Sequence, residues 1–141
     1  MKRLPSFLII ITALFLNACG PNPSSENQKL RDDVIAVHDE VMPLMGKLKS
    51  LEKAANEKVK ELESSPEPDS LQIEELKAVA LELSQAYEGM FVWMRQYKVD
   101  DEDMSPEELK TYLQGQMDQV NQVNEDIKNA LDRASKVLEG Q

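Results

Sequence analysis

From residue 26 to the C-terminus the apolar residues recur at spacings of three and four. The first series is Leu30, Val34, Val37, Val41, Leu44, Leu48, Leu51, Ala55, Val59 and Leu62. A helix turns once in about 3.6 residues, so such a series makes one apolar stripe along a helix. The stripe slips once, at Ala55, where two fours follow each other. The second series is Ile73, Leu76, Ala80, Leu83, Tyr87, Met90, Met94 and Tyr97, with no slip. The third is Leu109, Leu113, Met117, Val120, Asn124, Ile127, Leu131, Ala134 and Leu138. No stretch alternates with period two, so no strand is expected.

Breaks and caps separate the stripes. Ser64-Ser65-Pro66-Glu67-Pro68-Asp69 ends the first helix, and Asp69 or Ser70 caps the second. Val99 to Met104 forms the next turn. Ser105-Pro106-Glu107-Glu108 then supplies a capping serine, a proline at the first helical position and a glutamate at the box position. Ser25 with Gln28 reads as a capping box for the first helix. The expected helices cover about 26–63, 70–98 and 105–139. The expected fold is all-α: an elongated antiparallel three-helix bundle, a helical hairpin extended by a third helix, with coiled-coil-like seams. A second helix of roughly 28 residues is about 42 Å long at 1.5 Å per residue, which makes a rod. Asn124 lies in a seam, where a polar residue fixes register.

The N-terminus does not follow this pattern. Met1-Lys2-Arg3 is positive, and a largely apolar run follows from Phe7 to Leu16. About ten residues cannot span roughly 30 Å of hydrocarbon as a helix. The run has the size of a signal-peptide core, and residues 1–18 are assigned as a signal peptide. Leu16-Asn17-Ala18-Cys19-Gly20 resembles the lipobox of bacterial lipoproteins, with Asn17 a less usual choice. The resemblance implies cleavage before Cys19, a lipid on its sulfur and acylation of the new amine. Each buried methylene contributes about 0.8 kcal/mol, so several chains hold a protein firmly to a membrane. Residues 19–25 then read as the lipidated cysteine and a flexible tether, after which one domain, 26–141, begins.

Cys19 is the only cysteine, which excludes a disulfide within the chain and a cluster of zinc thiolates. Loss of residues 1–18 removes Lys2 and Arg3 and no acid. That leaves 14 basic against 26 acidic residues, a net charge of −12. Such a surface disfavours nucleic acid and anionic headgroups as partners. No acidic run follows Cys19, as it does in lipoproteins exported to the surface of Bacteroidetes-type cells. Residue 20 is not the aspartate that retains enterobacterial lipoproteins at the inner membrane. The expected location is the cell envelope, at the outer membrane facing the periplasm.

Catalytic chemistry finds few residues. His38 is the only histidine, the one thiol is committed to lipid, and the five glycines form no phosphate loop. The chain is therefore expected not to be an enzyme. The acid run Asp100–Asp103 lacks the spacing and mid-loop glycine of a calcium loop, and acids before a helix start suit the helix dipole.

One constellation is more specific. His38, Met42 and Met45 lie along the first helix, and Met90, Trp93 and Met94 along the second. Counted from a turn centred near residue 67, Met42 is level with about 92, Met45 with about 89 and His38 with about 96. Pro43 lies among them and removes the donor for the Asp39 carbonyl, which kinks the helix. Thioethers with one imidazole form a soft ligand set suited to Cu(I) or Ag(I), and a tryptophan face favours a nearby cation. On the plainer reading Met90 and Met94 are heptad core residues, where thioethers fill gaps, and His38 and Met45 are flank positions covering the third helix. Methionine and tryptophan also suit a partner-binding groove. Phe91, Tyr112 and Val123 are left as apolar flank residues available for self-association.

The runs His38-Asp39-Glu40-Val41-Met42-Pro43 with Met45, and Met90 with Trp93-Met94-Arg95-Gln96-Tyr97, resemble a group of small helical lipoproteins of Bacteroidetes-type bacteria. These are often labelled after a viral A-type inclusion protein. The resemblance spans about residues 30–98 and implies fold and location; it transfers no functional residues. The functional expectation is a lipid-anchored, non-enzymatic binding or structural protein of the envelope, held to the membrane through Cys19 and engaging an envelope protein partner. The alternative is a Cu(I)/Ag(I)-binding protein. Labelling with a palmitate analogue is expected to mark the wild-type chain and not Cys19→Ser. Label retained by the variant would remove the lipobox reading.

Overall fold

The computed structural model describes residues 23–139; the signal-peptide and lipobox assignments lie outside them. Helix α1 spans Pro23–Val41, a 3-10 turn spans Met42–Leu44, and α2 spans Met45–Glu63. Helix α3 spans Ser70–Gln96 and α4 spans Pro106–Glu139. Among the described residues there is no strand. No described helix is long and apolar enough to cross a membrane.

The first expected helix is thus two helices. Pro43 has no N–H to give the Asp39 carbonyl, and the chain passes it in a tighter turn. Val41 relaxes to φ −101°, ψ −15°, and the Met45 N–H bonds the Met42 carbonyl before regular helix resumes. The start of α1 also differs from expectation. The helix begins at Pro23, which places Ser25 inside the first turn rather than at its cap and takes residues 23–25 out of the tether. Proline fits there because a first-turn N–H would have no helical partner. The Gln28 amide donates to Asp32 Oδ1 at 2.8 Å, one turn on.

The other helix starts form as the sequence indicates. Asp69 Oδ1 accepts from the N–H groups of Leu71 at 3.0 Å and Gln72 at 3.1 Å. At α4 the Ser105 N–H donates to Glu108 Oε2 at 2.9 Å, and the Glu108 N–H donates to Ser105 Oγ at 3.4 Å. The Ser105 backbone N–H, and after it the Ser105 hydroxyl, hold the Glu108 carboxyl below the usual glutamate range.

The helices run up, down and up. Helix α3 is antiparallel to the rest, while α4 runs parallel to α1 and α2. Ion pairs mark these directions: Lys77 with Glu63 and Arg133 with Glu82 across antiparallel neighbours, Lys110 with Glu26 and Lys128 with Glu40 across parallel ones. Helix α2 packs chiefly on α3, whereas α1 packs chiefly on α4, and the backbones of α1 and α3 stay apart. The break at Pro43 is where the chain changes neighbours.

The core follows the stripes. Val34, Val41, Leu48, Leu76, Leu83, Leu113, Val120 and Ile127 are wholly buried. Helix α3 lies between two neighbours and buries a second stripe, Val79, Ala86 and Trp93, at intervals of seven. Asn124 is buried in the α1–α4 seam, where its amide donates to Glu40 Oε2 at 2.9 Å and the Val37 carbonyl at 3.4 Å. Lys128 Nζ bonds Glu40 Oε1 at 2.6 Å. A one-turn slip of α1 along α4 would break these contacts together, so they fix the register.

Leu83→Ala should lower stability by about 2–5 kcal/mol, the ordinary cost of emptying a filled core site. Leu81→Ala, at a side chain 57% exposed, should stay within roughly 0.5 kcal/mol in the same denaturant titration. A second expectation concerns acid. Hydrogen bonds from Lys128 and then Asn124 hold the Glu40 carboxyl below its usual range. A depressed carboxyl contributes stability above its unfolded pKa and loses it as pH falls through the folded value. Melting temperature should therefore fall below about pH 4.3. Glu40→Gln should flatten part of that fall and leave the share due to Glu108.

Candidate functional site

The level of His38 holds the densest group of reactive side chains in the bundle. Its ring is mostly enclosed, with 19% of the side chain exposed. Nδ1 lies 2.8 Å from Asp39 Oδ1, and Nε2 lies 3.2 Å from Met94 Sδ on α3. The Trp93 ring stands 5.6 Å from the imidazole, centroid to centroid, tilted by 34°. Beyond it come Tyr97, 5.1 Å from Trp93, and Tyr112 of α4, 6.2 Å from Tyr97. These rings span the space between α1 and α3, whose backbones do not approach closely.

Of the residues expected to converge, the structure brings His38, Trp93 and Met94 into contact. His38 meets 93 and 94, two or three residues nearer the α2–α3 turn than equal counting gives. Met45 and Met90 are core residues, 7% and 0% exposed, and Met42 and Met94 pack half-buried against that core. Met42, first residue of the 3-10 turn, follows His38 by four residues, and Met90 precedes Met94 by one turn on α3. Among the described residues no three side chains of His, Cys, Asp or Glu converge.

The flank residues set aside for self-association have work within the chain. Phe91 packs on Tyr87 at 4.9 Å, and the Tyr112 hydroxyl accepts the Lys98 N–H at 2.6 Å. The acid run is similarly engaged. Asp100 Oδ1 accepts the Glu102 N–H at 3.2 Å, and Asp101 pairs with Arg31, which also reaches the Val99 carbonyl at 3.4 Å. With the Asn27 amide on the Pro106 carbonyl at 2.8 Å, these bonds tie the α3–α4 turn to the start of α1.

Among the described residues three buried polar atoms have no hydrogen-bond partner: Trp93 Nε1, Tyr97 Oη and Gln116 Oε1. Trp93 and Tyr97 are neighbours, and Gln116 lies one turn beyond Tyr112, so all three belong to the same half of the bundle. Buried polar groups are seldom left unpaired, and such a group marks a place for water or ligand. Burial raises the Tyr97 phenol above its usual range, against the opposing pull of the Arg31 guanidinium.

On the outer side of α3 and α4 runs a groove. One part encloses about 440 Å3 over a floor of Ala86, Gly89, Val123 and Ala130, with Gln85, Asp126 and Asn129 on its walls. It continues past Gly89 and Val123 into a smaller part of about 220 Å3 bordered by Val92, Trp93, Gln96, Gln119 and Gln122. Gly89 is in regular helix, and a Cβ there would meet nothing within 4 Å. The fold therefore has no steric need of glycine at this position, although glycine in a helix interior costs about 1 kcal/mol relative to alanine.

Asp39, Tyr97, Gln116 and the groove were not singled out from sequence. Asp39 adjoins His38, and Tyr97 follows Trp93 by one turn, so spacing could have found both. The groove had a weaker signal: small residues at 86, 89 and 130 opposite the main stripe. No protein-family model, curated protein or solved structure matches the chain.

Proposed function

We propose that this chain is a non-enzymatic lipoprotein of the bacterial envelope, which holds another envelope component along the α3–α4 groove. The observation that carries this reading is the groove itself. Its walls are chiefly side-chain amides and its floor small apolar residues, in a chain whose residues are 30% charged. Loss of charge from a patch is the compositional mark of an interface. Gly89 deepens the floor at a cost to helix stability that nothing inside the chain requires. Amides carry a donor and an acceptor each and so match the peptide groups of an extended segment. Asp126 at the edge, with the net acidity of the chain, favours a segment carrying lysine or arginine.

The anchor belongs to the same proposal. Cys19, at the lipobox, precedes α1 by four residues, so the lipid would hold the end where α1 begins and α3 turns into α4. The groove then stands along the rod, above the membrane. Outer-membrane attachment facing the periplasm, and kinship with the small helical Bacteroidetes-type lipoproteins, are parts of this reading.

A photo-crosslinking residue at Val92 or Gln122, in the full chain in cells, should capture one defined protein. The same residue at Lys53, on α2, should not. Leu in place of Gly89 should abolish the adduct while leaving the fold intact by circular dichroism. Equal capture from Lys53, or capture indifferent to Gly89→Leu, would remove the groove as the binding surface.

A further inference from the structure

The contact between His38 and Met94 has chemistry that neither packing nor the groove uses. We propose that these two side chains form the core of a binding site for a soft monovalent cation, Cu(I) or Ag(I), between α1 and α3.

The argument begins with the imidazole. A carboxylate can only accept, so Asp39 at 2.8 Å selects the tautomer with its proton on Nδ1. Nε2 then presents a lone pair, and what it faces is a thioether sulfur at 3.2 Å, itself a donor of electron pairs. With the ring neutral, two lone pairs meet with no proton between them, and a cation accepting both satisfies the arrangement. The spacing suits this. Donor atoms 3.2 Å apart can reach one ion together. They can thus occupy adjacent coordination positions.

The surroundings specify the kind of ion. Asp39 on the far ring nitrogen is the outer-shell carboxylate that orients a ligating histidine and makes it more basic. The further donors within one helical turn are thioethers, Met42 beside His38 and Met90 beside Met94. Thioether and imidazole select soft ions, and the absence of a convergent carboxylate set among the described residues gives calcium or magnesium nothing to prefer here. Trp93, 5.6 Å from the imidazole, brings an indole face within cation–π range. Such an ion enters through the exposed fifth of His38. The cation is held without oxidation or reduction, so no co-reactant is needed.

The test uses silver(I) nitrate in chloride-free buffer and the full chain in detergent, with Cys19→Ser to remove the sole competing thiol. Trp93, the only tryptophan, reports by fluorescence. The expected result is a saturable change complete at one equivalent, with the Met94 methyl resonance shifting first in a methionine-labelled sample. Met94→Leu conserves volume, and with His38→Gln it should weaken binding by at least about tenfold; Asp39→Asn should weaken it about tenfold as a lost outer-shell partner. Met104→Leu and Met117→Leu should leave the curve in place. A flat titration would overturn the site. So would a curve that Met94→Leu does not move, or one that Met117→Leu moves equally.

Discussion

The fold turns on one missing hydrogen bond. Pro43 cannot donate to the Asp39 carbonyl, and the first long helix divides there into α1 and α2. Below the break α2 lies against α3; above it α1 lies against α4. Helix α3 ends at Gln96, close to the level of His38, so most of α1 runs beyond it and lies against α4. The division lets one polypeptide segment cover α3 with α2 and α4 with α1.

The separation of α1 from α3 has to be filled. Short aliphatic side chains would leave voids, and an unfilled void forfeits dispersion contacts on all its walls. The chain places its large flat side chains there: His38, Trp93, Tyr97 and, from α4, Tyr112. Ring systems carry polar atoms, and close packing of several rings leaves fewer directions for hydrogen bonds. The unpartnered indole N–H and phenol are the result. The chemistry near His38 lies where α3 ends, one turn before the Pro43 break, and there an imidazole meets a thioether.

Much of this was legible in the sequence. The three stripes, both turns and the caps at Asp69 and Ser105 followed from spacing and local hydrogen-bond chemistry. The proline kink was legible too, as was the meeting of His38 with Trp93 and Met94. Neighbour exchange was not, because periodicity shows that a face is buried without showing which helix covers it. The second buried stripe, which adds Val79 and Ala86 and makes Trp93 a core residue, was missed for a related reason: a helix between two neighbours has two stripes, and the stronger masks the weaker. The start at Pro23 was missed because proline and serine read as a tether, though both are compatible with a first helical turn. Gly89 carried no local signal, since its meaning depends on α4 lying beside it.

Trp93 belongs to both sites. One face of its surroundings is the imidazole of His38, and another is the α3–α4 groove. The side chain is 4% exposed and packed on Tyr97, so it has little freedom to answer one ligand without altering what it offers the other. An ion beside His38 would draw the indole towards α1, and a segment in the groove would press on it from the side of Gln96 and Gln119. Binding at two sites that share a buried residue is energetically coupled, and the coupling is reciprocal whatever its sign. The two proposals therefore have a common physical dependence, the position of one indole ring in the gap between α1 and α3.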